Sequence, residues 1–358
     1  MRTLDRYIIK KFLVTFVFTL GLFALISVFI DISEKIDDFL KRKPSIYVII
    51  FEYYIYFIPY ILGMFSPIFV FLSAMFFNSK LAQNSEIIAI LNTGISYPRF
   101  LRPYFIATTI LAGSFLYLNT IVIPICDKKR YLFEEEWIRE RKTTQSNNIS
   151  YVIEPGTMLH MESFNYLDST GFNASIERFE NNKITQRIFA NRLVWNKDKQ
   201  NWTMEFYQRR FFTNGKETVE KGKALDTTLN IKPDEFVIKS QFVSSMTNPE
   251  LNEYIRREKE KGSPNINKYY VELYKRIANP ISFFVLTLTA IGISSRKSRG
   301  GTGLALGIGI FLTFAFLMAI QVFNTLGMNN VLPPAIAVWI PNSIFIIIAI
   351  LIAKASPK

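Results

Sequence analysis

"LAQNSEIIAILNTGIS", residues 81–96, is a short stretch, polar on one side and apolar on the other, with a single acid, Glu86. It separates two runs, 46–77 and 100–125, that are almost free of charge; the only acid in the first is Glu52. A helix needs about 20 apolar residues to cross the hydrocarbon core of a bilayer. Working outward, similar runs lie at 12–30, 301–326 and 332–353, and 277–294 reaches the length with a few upstream residues. The 49% hydrophobic content is that of an ordinary soluble chain, so the distribution decides the class, not the total. The pattern predicts six transmembrane helices in a 3+3 arrangement, split by a polar middle of about 150 residues.

The start, "MRTLDRYIIKK", is basic, but the apolar run behind it is long and lacks a small-residue cleavage site. It reads as a first membrane helix with a cytoplasmic tail. Lys and Arg in the short loops set the orientation. With the N-terminus inside, the inner segments hold Arg2, Arg6, Lys10, Lys11, Lys80, Arg99, Arg102, Arg296, Lys297, Arg299, Lys354 and Lys358. The short outer loops hold Lys35, Lys41, Arg42 and Lys43. Both termini are therefore expected in the cytoplasm and the polar middle outside it. Part of the +13 net charge belongs to this asymmetry, and no nucleic-acid fold signature accompanies it, so no nucleic-acid partner is expected.

The middle segment changes period. "NWTMEFYQ" sets Trp202, Met204 and Phe206 against Thr203, Glu205 and Tyr207. Turn signals recur at 180–183, 196–201 and 213–216, the last with an Asn-Gly pair. An antiparallel sandwich or open barrel is expected from about Ser150 to Ser244. Phe164, Tyr166, Phe172, Phe189, Trp195, Trp202, Phe206 and Phe212 would fill its core or line a lipid-binding groove, and the core reading is the stronger. "NPELNEYIRREKEKGSPN" then reads as a connecting helix at about 248–261, with Asn248 as cap, Pro249 in the first turn, and Gly262 and Pro264 ending it.

Chemistry-bearing motifs are few. One cysteine (Cys126) and one histidine (His160) give neither an internal disulfide nor zinc spacing. No phosphate loop is present, and the glycines of "GTGLALGIGIF" lack the spacing of a dinucleotide site. Gly303 and Gly307 give a small-xxx-small packing face instead. No cofactor, metal or catalytic residue is expected, and the chain reads as a non-hydrolytic membrane subunit. Asp31, Glu34, Lys35, Asp37 and Asp38 end the first membrane helix, either as a solvated helix end or facing a cavity that holds a charged headgroup. Residues 81–96 read as a helix at the membrane surface, with Asn84 or Ser85 as cap and Gly94 as stop, able to dock into a groove on another protein.

Four stretches, "LDRYIIKKFL", "AQNSEIIAILNTGIS", "YKRIANPISFFVL" and "LPPAIAVWIPN", resemble the LptF/LptG family, the permease subunits of the ABC transporter that exports lipopolysaccharide. The layout agrees over the whole chain, and "LDRYI" with the proline-rich last helix leans towards LptG. The resemblance implies transmembrane helices 1–3 within 1–126, an extracytoplasmic jellyroll-like β domain within 127–268 and helices 4–6 within 269–358. It implies a coupling helix at about 81–93, whose Ser85, Glu86, Ile87 and Leu91 meet a separate ATPase dimer. It also implies a second LptF/LptG-type subunit, a periplasmic β-jellyroll bridge protein and lipopolysaccharide as cargo. Asp31, Lys35, Lys128, Lys129 and Arg130 are then the lipid-binding candidates. The chain departs from relatives that carry a basic residue three positions before Asp31, where it has Val28, and its basic residues after helix three are shifted. Two rivals are export of another glycolipid or of a lipoprotein, and a membrane scaffold with a periplasmic binding domain.

Overall fold

The computed structural model describes residues 3–138, 145–165, 168–180, 183–197, 199–213, 216–229, 231–233, 243–260, 263, 265–295 and 301–354. Arg2, Tyr166, part of the turns at 180–183 and 196–201, the Asn214-Gly215 pair, Gly262, Pro264, Arg296, Lys297, Arg299 and Lys358 lie outside the described residues. In chain order come α1 (Thr3–Arg42), α2 (Ile46–Gln83), α3 (Glu86–Asn92) and α4 (Tyr97–Trp137). The strands β1 (Gln145–Glu154), β2 (Thr157–Asn165), β3 (Thr170–Glu180), β4 (Lys183–Asn196), β5 (Asn201–Thr213) and β6 (Lys216–Thr227) follow. Then come α5 (Asn248–Glu260), α6 (Ile266–Ser294), α7 (Gly301–Met328) and α8 (Pro334–Lys354).

Six of these helices, α1, α2, α4, α6, α7 and α8, are long and apolar enough to cross a membrane. The chain is thus an α-helical membrane protein with a 3+3 arrangement and an all-antiparallel domain inserted between the third and fourth spans. The helices outrun the apolar stretches that mark them. With 40 residues, α1 extends about 60 Å at 1.5 Å per residue, twice the thickness of a hydrocarbon core.

Prolines inside the spans show how the backbone is kept satisfied. A proline has no N–H, so it frees the carbonyl four residues earlier. Pro67 in α2 frees the Gly63 carbonyl, and the Ser66 hydroxyl donates to it at 2.9 Å. Pro280 in α6 frees the Arg276 carbonyl, which the Asn119 amide approaches from α4 at 3.5 Å. In hydrocarbon no water could take these places. α2 and α4 each also carry a π-helical stretch, at Ile49–Tyr54 and Leu118–Val122.

Two compact units emerge. The first comprises Met1–Phe133, Ser244–Asn248 and Asn267–Lys358; the second comprises Glu134–Val243 and Pro249–Ile266. Within the first, the buried Arg276 guanidinium donates to the Asn248 side chain and the Met246 carbonyl, both at 2.7 Å. The oxygen of Asn248 that was expected to cap α5 is therefore held by α6.

In the second unit each strand pairs antiparallel with its neighbours in sequence, β1 to β6. The expected jellyroll-like insert is met as an all-antiparallel domain, and the described strands run in meander order. β1 turns into β2 through Pro155 and Gly156, whose φ of +81° a glycine adopts without strain. A Cβ there would sit 2.8 Å from the Phe179 carbonyl oxygen. Leu159, Met161, Phe164, Ile176, Leu193, Trp202 and Met204 build the core, and the Trp202 indole donates to the Ile231 carbonyl at 2.8 Å.

The aromatic list from the sequence divides. Phe164 and Trp202 are buried, whereas Phe189, Phe206 and Phe212 are exposed. Strict alternation along "NWTMEFYQ" fails at Phe206, which is 61% exposed while Tyr207 turns inward. The cause is local: Phe206 has φ +52°, and on β3 Asn173 has φ +48°. Left-handed residues break the period of two. Pairing skips Asn173 and Phe206 on either side without a change of register. Both skips meet β4 at Asn191, so they form one crease across the sheet. Buried positions on β2, β4 and β5 accordingly step by three across it: Met161 to Phe164, Ala190 to Leu193, Met204 to Tyr207.

Truncating Trp202 to Ala is expected to destabilise the β domain by about 3–5 kcal/mol. Phe206→Asn, which suits the left-handed conformation, should stabilise it by about 1 kcal/mol. Denaturant unfolding of the detergent-solubilised chain, followed by the tryptophan signal, checks the opposite signs.

Candidate functional site

At one end of the helical unit, α3 forms a short handle between α2 and α4. Leu81 and Ala82 end α2 inside the core, and Asn84 and Ser85 turn the chain. Ser85 occupies the position before α3 with φ +58° and makes no side-chain cap. The expected cap is replaced by the Asn84 amide donating to the Glu86 carboxylate at 3.0 Å. Gly94 closes the helix in the left-handed conformation, φ +81°, its N–H bonded to the Leu91 carbonyl at 3.0 Å. That stop is where the sequence places it.

The faces of α3 separate cleanly. Ile87 is 3% exposed and packs in the main helical core, while Ile88 is 52% exposed. Ile87 thus anchors the handle to its own bundle. Ser85, Ile88, Ala89 and Asn92 face outward, with Glu86 half-buried beside them. Leu91 is half-buried and lines a cavity of about 630 Å³ shared by the α3–α4 loop, α4, α6 and α8. The outward face offers one carboxylate beside apolar and small side chains. Such a face can dock in a groove and meet a cation there.

The other candidate cluster lies where α1, α2 and α4 approach one another at the opposite end of those helices. Asp31 is 6% exposed. It accepts from the Lys35 ammonium at 2.7 Å, from the Tyr53 hydroxyl at 3.0 Å and from the Tyr54 hydroxyl at 3.2 Å. The Lys35 ammonium also contacts the Tyr53 hydroxyl, and lies 4.6 Å from the Tyr53 ring centroid. Phe133 from α4 packs on the Tyr53 ring, centroids 4.8 Å apart. Asp31 and Lys35 are therefore neither a solvated helix end nor open to a ligand as they stand: each neutralises the other inside an aromatic box.

Arg130 pairs with Asp127 at 2.7 Å and lies over the Tyr60 ring at 4.3 Å. The Lys129 ammonium lies 5.6 Å from the Tyr56 ring centroid, and Lys128 is exposed. The structure thus brings cations of both α1 and α4 to one run on α2, "EYYIYFIPY" (52–60). Tyr53 and Tyr54 serve α1; Tyr56 and Tyr60, four apart, serve α4. The sequence analysis did not single out these tyrosines. Tyrosines three and four apart beside cations elsewhere in the chain were the available signal, since aromatic faces hold cations at low dielectric. Among the described residues no group of histidine, cysteine and carboxylate side chains could hold a metal ion.

Six membrane-capable spans, a surface handle and an antiparallel insert define a multi-pass membrane protein. Residues 6–355 match the family "Lipopolysaccharide export system permease LptF/LptG". The chain belongs to that family, and is an inner-membrane permease of lipopolysaccharide export. No curated protein matches it.

Breaking the Asp31–Lys35 pair leaves a charge in a mostly buried setting. Asp31→Ala is expected to destabilise the chain by about 3 kcal/mol and Asp31→Asn by less, read as a shift of the unfolding transition in detergent.

Proposed function

We propose that α3 receives the stroke of a separate ATPase dimer, through Glu86 with Ser85 and Leu91 at the contact and Ile87 as the anchor beneath it. The observation that carries this reading is the division of α3 into a buried Ile87 and an outward face bearing one acid, in a chain without a phosphate loop of its own. A membrane subunit that hydrolyses nothing needs a mechanical input, and a rigidly seated surface helix supplies one.

In this reading both termini and α3 are cytoplasmic, and the β domain, within 127–268, is periplasmic between spans 1–3 (1–126) and 4–6 (269–358). The excess of Lys and Arg on the α3 side supports that orientation. A second LptF/LptG-type subunit completes the cavity. Lipopolysaccharide enters between the subunits, its phosphates attracted by Lys128 and Lys129, which are exposed. Lys35 and Arg130 contribute only if a phosphate displaces Asp31 or Asp127, because each now holds a carboxylate at 2.7 Å. Cargo then passes along the β domain to a periplasmic β-jellyroll bridge protein, for which the terminal strands β1 and β6 offer free edges among the described residues.

Reversing the charge at the handle tests the docking role. Glu86→Arg is expected to leave membrane insertion intact and to lower lipopolysaccharide export about tenfold or more, as a like-charge contact costs several kcal/mol. Export by purified complex in vesicles, with the co-purifying ATPase quantified by mass spectrometry, is the measurement. Normal export with normal ATPase recovery would remove Glu86 from the contact.

A further inference from the structure

Directly beneath the handle lies a polar junction that the permease reading leaves unused. Asn78 in α2 is 0% exposed. Its amide nitrogen donates to the Ser294 hydroxyl at 2.8 Å, the Ser295 hydroxyl at 3.1 Å and the Ile291 carbonyl at 3.4 Å, all at the end of α6. Its amide oxygen accepts from the Tyr104 hydroxyl of α4 at 2.8 Å. The two serines complete their own bonding within α6, to the Ala290 and Ile291 carbonyls at 2.6 and 2.7 Å. Deeper along the helices, the Thr108 hydroxyl of α4 donates to Thr287 of α6 at 3.0 Å. The Tyr104 ring packs against Phe12 of α1 and Phe77 of α2, both with centroids 6.0 Å away.

One amide therefore bonds across three helices, and the ring bonded to it touches the fourth. In an apolar bundle such a junction does what leucines cannot. Apolar side chains hold helices together yet let them slide and rotate, because their contacts have no direction. Hydrogen bonds fix register, and within hydrocarbon no water replaces a bond that is broken.

The placement gives this a consequence. Asn78 lies one turn before the buried end of α2, and α3 begins just beyond. On the far side of α3, Arg99 in the first turn of α4 is paired to the buried Asp5 of α1 at 2.8 Å. Both flanks of the handle are thus tied to other helices, and Ile87 seats the handle on the same core that holds Phe100, Tyr104 and Ile291. We infer that Asn78 is a positioning residue for transport: it locks the handle end of α2 to α4 and α6, so that displacement of α3 moves these helices as one block. The inference rests on α3 being the ATPase contact. It adds the internal brace that turns a push on α3 into a rearrangement of the spans.

The test is the ratio of lipopolysaccharide delivered per ATP hydrolysed, measured with the complete reconstituted complex. Asn78→Leu keeps the branching at Cγ and removes every bond. It should keep ATPase recovery and ATP turnover, while the ratio falls about fivefold or more. Tyr104→Phe, which removes one bond, should lower the ratio by a smaller factor. It carries the same measurement if Asn78→Leu does not assemble. An unchanged ratio overturns the inference, and so does a parallel loss of hydrolysis and export, the mark of a purely structural role. Glu86→Arg in the same assay separates the two readings. If that variant recruits ATPase and exports normally, docking at α3 has failed. If it is inactive while Asn78→Leu couples normally, only the brace has failed.

Discussion

Every peptide group carried into hydrocarbon must find its hydrogen-bond partner within the protein, and most of this architecture follows from that constraint. It makes the spans helical, and it governs their irregularities. Ser66 and Asn119 stand where Pro67 and Pro280 have freed a carbonyl. The same constraint gives polar side chains between spans an importance their number does not convey. Asp31 with its three donors, and Asn78 with its four partners, are fixed points around which apolar packing arranges itself.

These fixed points sit at opposite ends of the spans. The Asp31 cluster joins α1 to α2 at the end where α4 leads on to the strands, and the Asn78 junction joins α2, α4 and α6 at the handle end. α2 takes part in both. Along its length α2 carries a π-helical stretch and two prolines. By contrast α7 shows a long apolar surface, with Phe311, Phe314, Met318 and Val322 exposed, and Gly303 and Gly307 open to any neighbour that approaches.

Much of this was legible in the chain itself. Charge-free runs of membrane length gave the spans, and the change of period from about residue 150 gave the strands. Gly94 gave the end of the handle because a left-handed stop is a local property of one residue. The family resemblance rested on similarly local stretches. Failures of the reading share a cause. Ser85 looked like a cap and Phe206 looked buried, since type and spacing suggest both; backbone conformations of φ +58° and +52° decide otherwise. Ile87 and Ile88 are chemically alike, and only the bundle against which α3 packs says which one is the anchor.

Sequence by itself therefore determined the class of the protein, the number of its spans, the period of its insert and the place of its handle, because hydrophobic length and alternation are summed along the chain. Tertiary structure alone decided which polar residues are partners. Asp31 meets Tyr53, 22 positions away, and Asn78 meets Ser294, 216 positions away. No local pattern encodes such pairs. They exist because a buried polar atom must take whichever donor or acceptor the packing of the helices brings within reach.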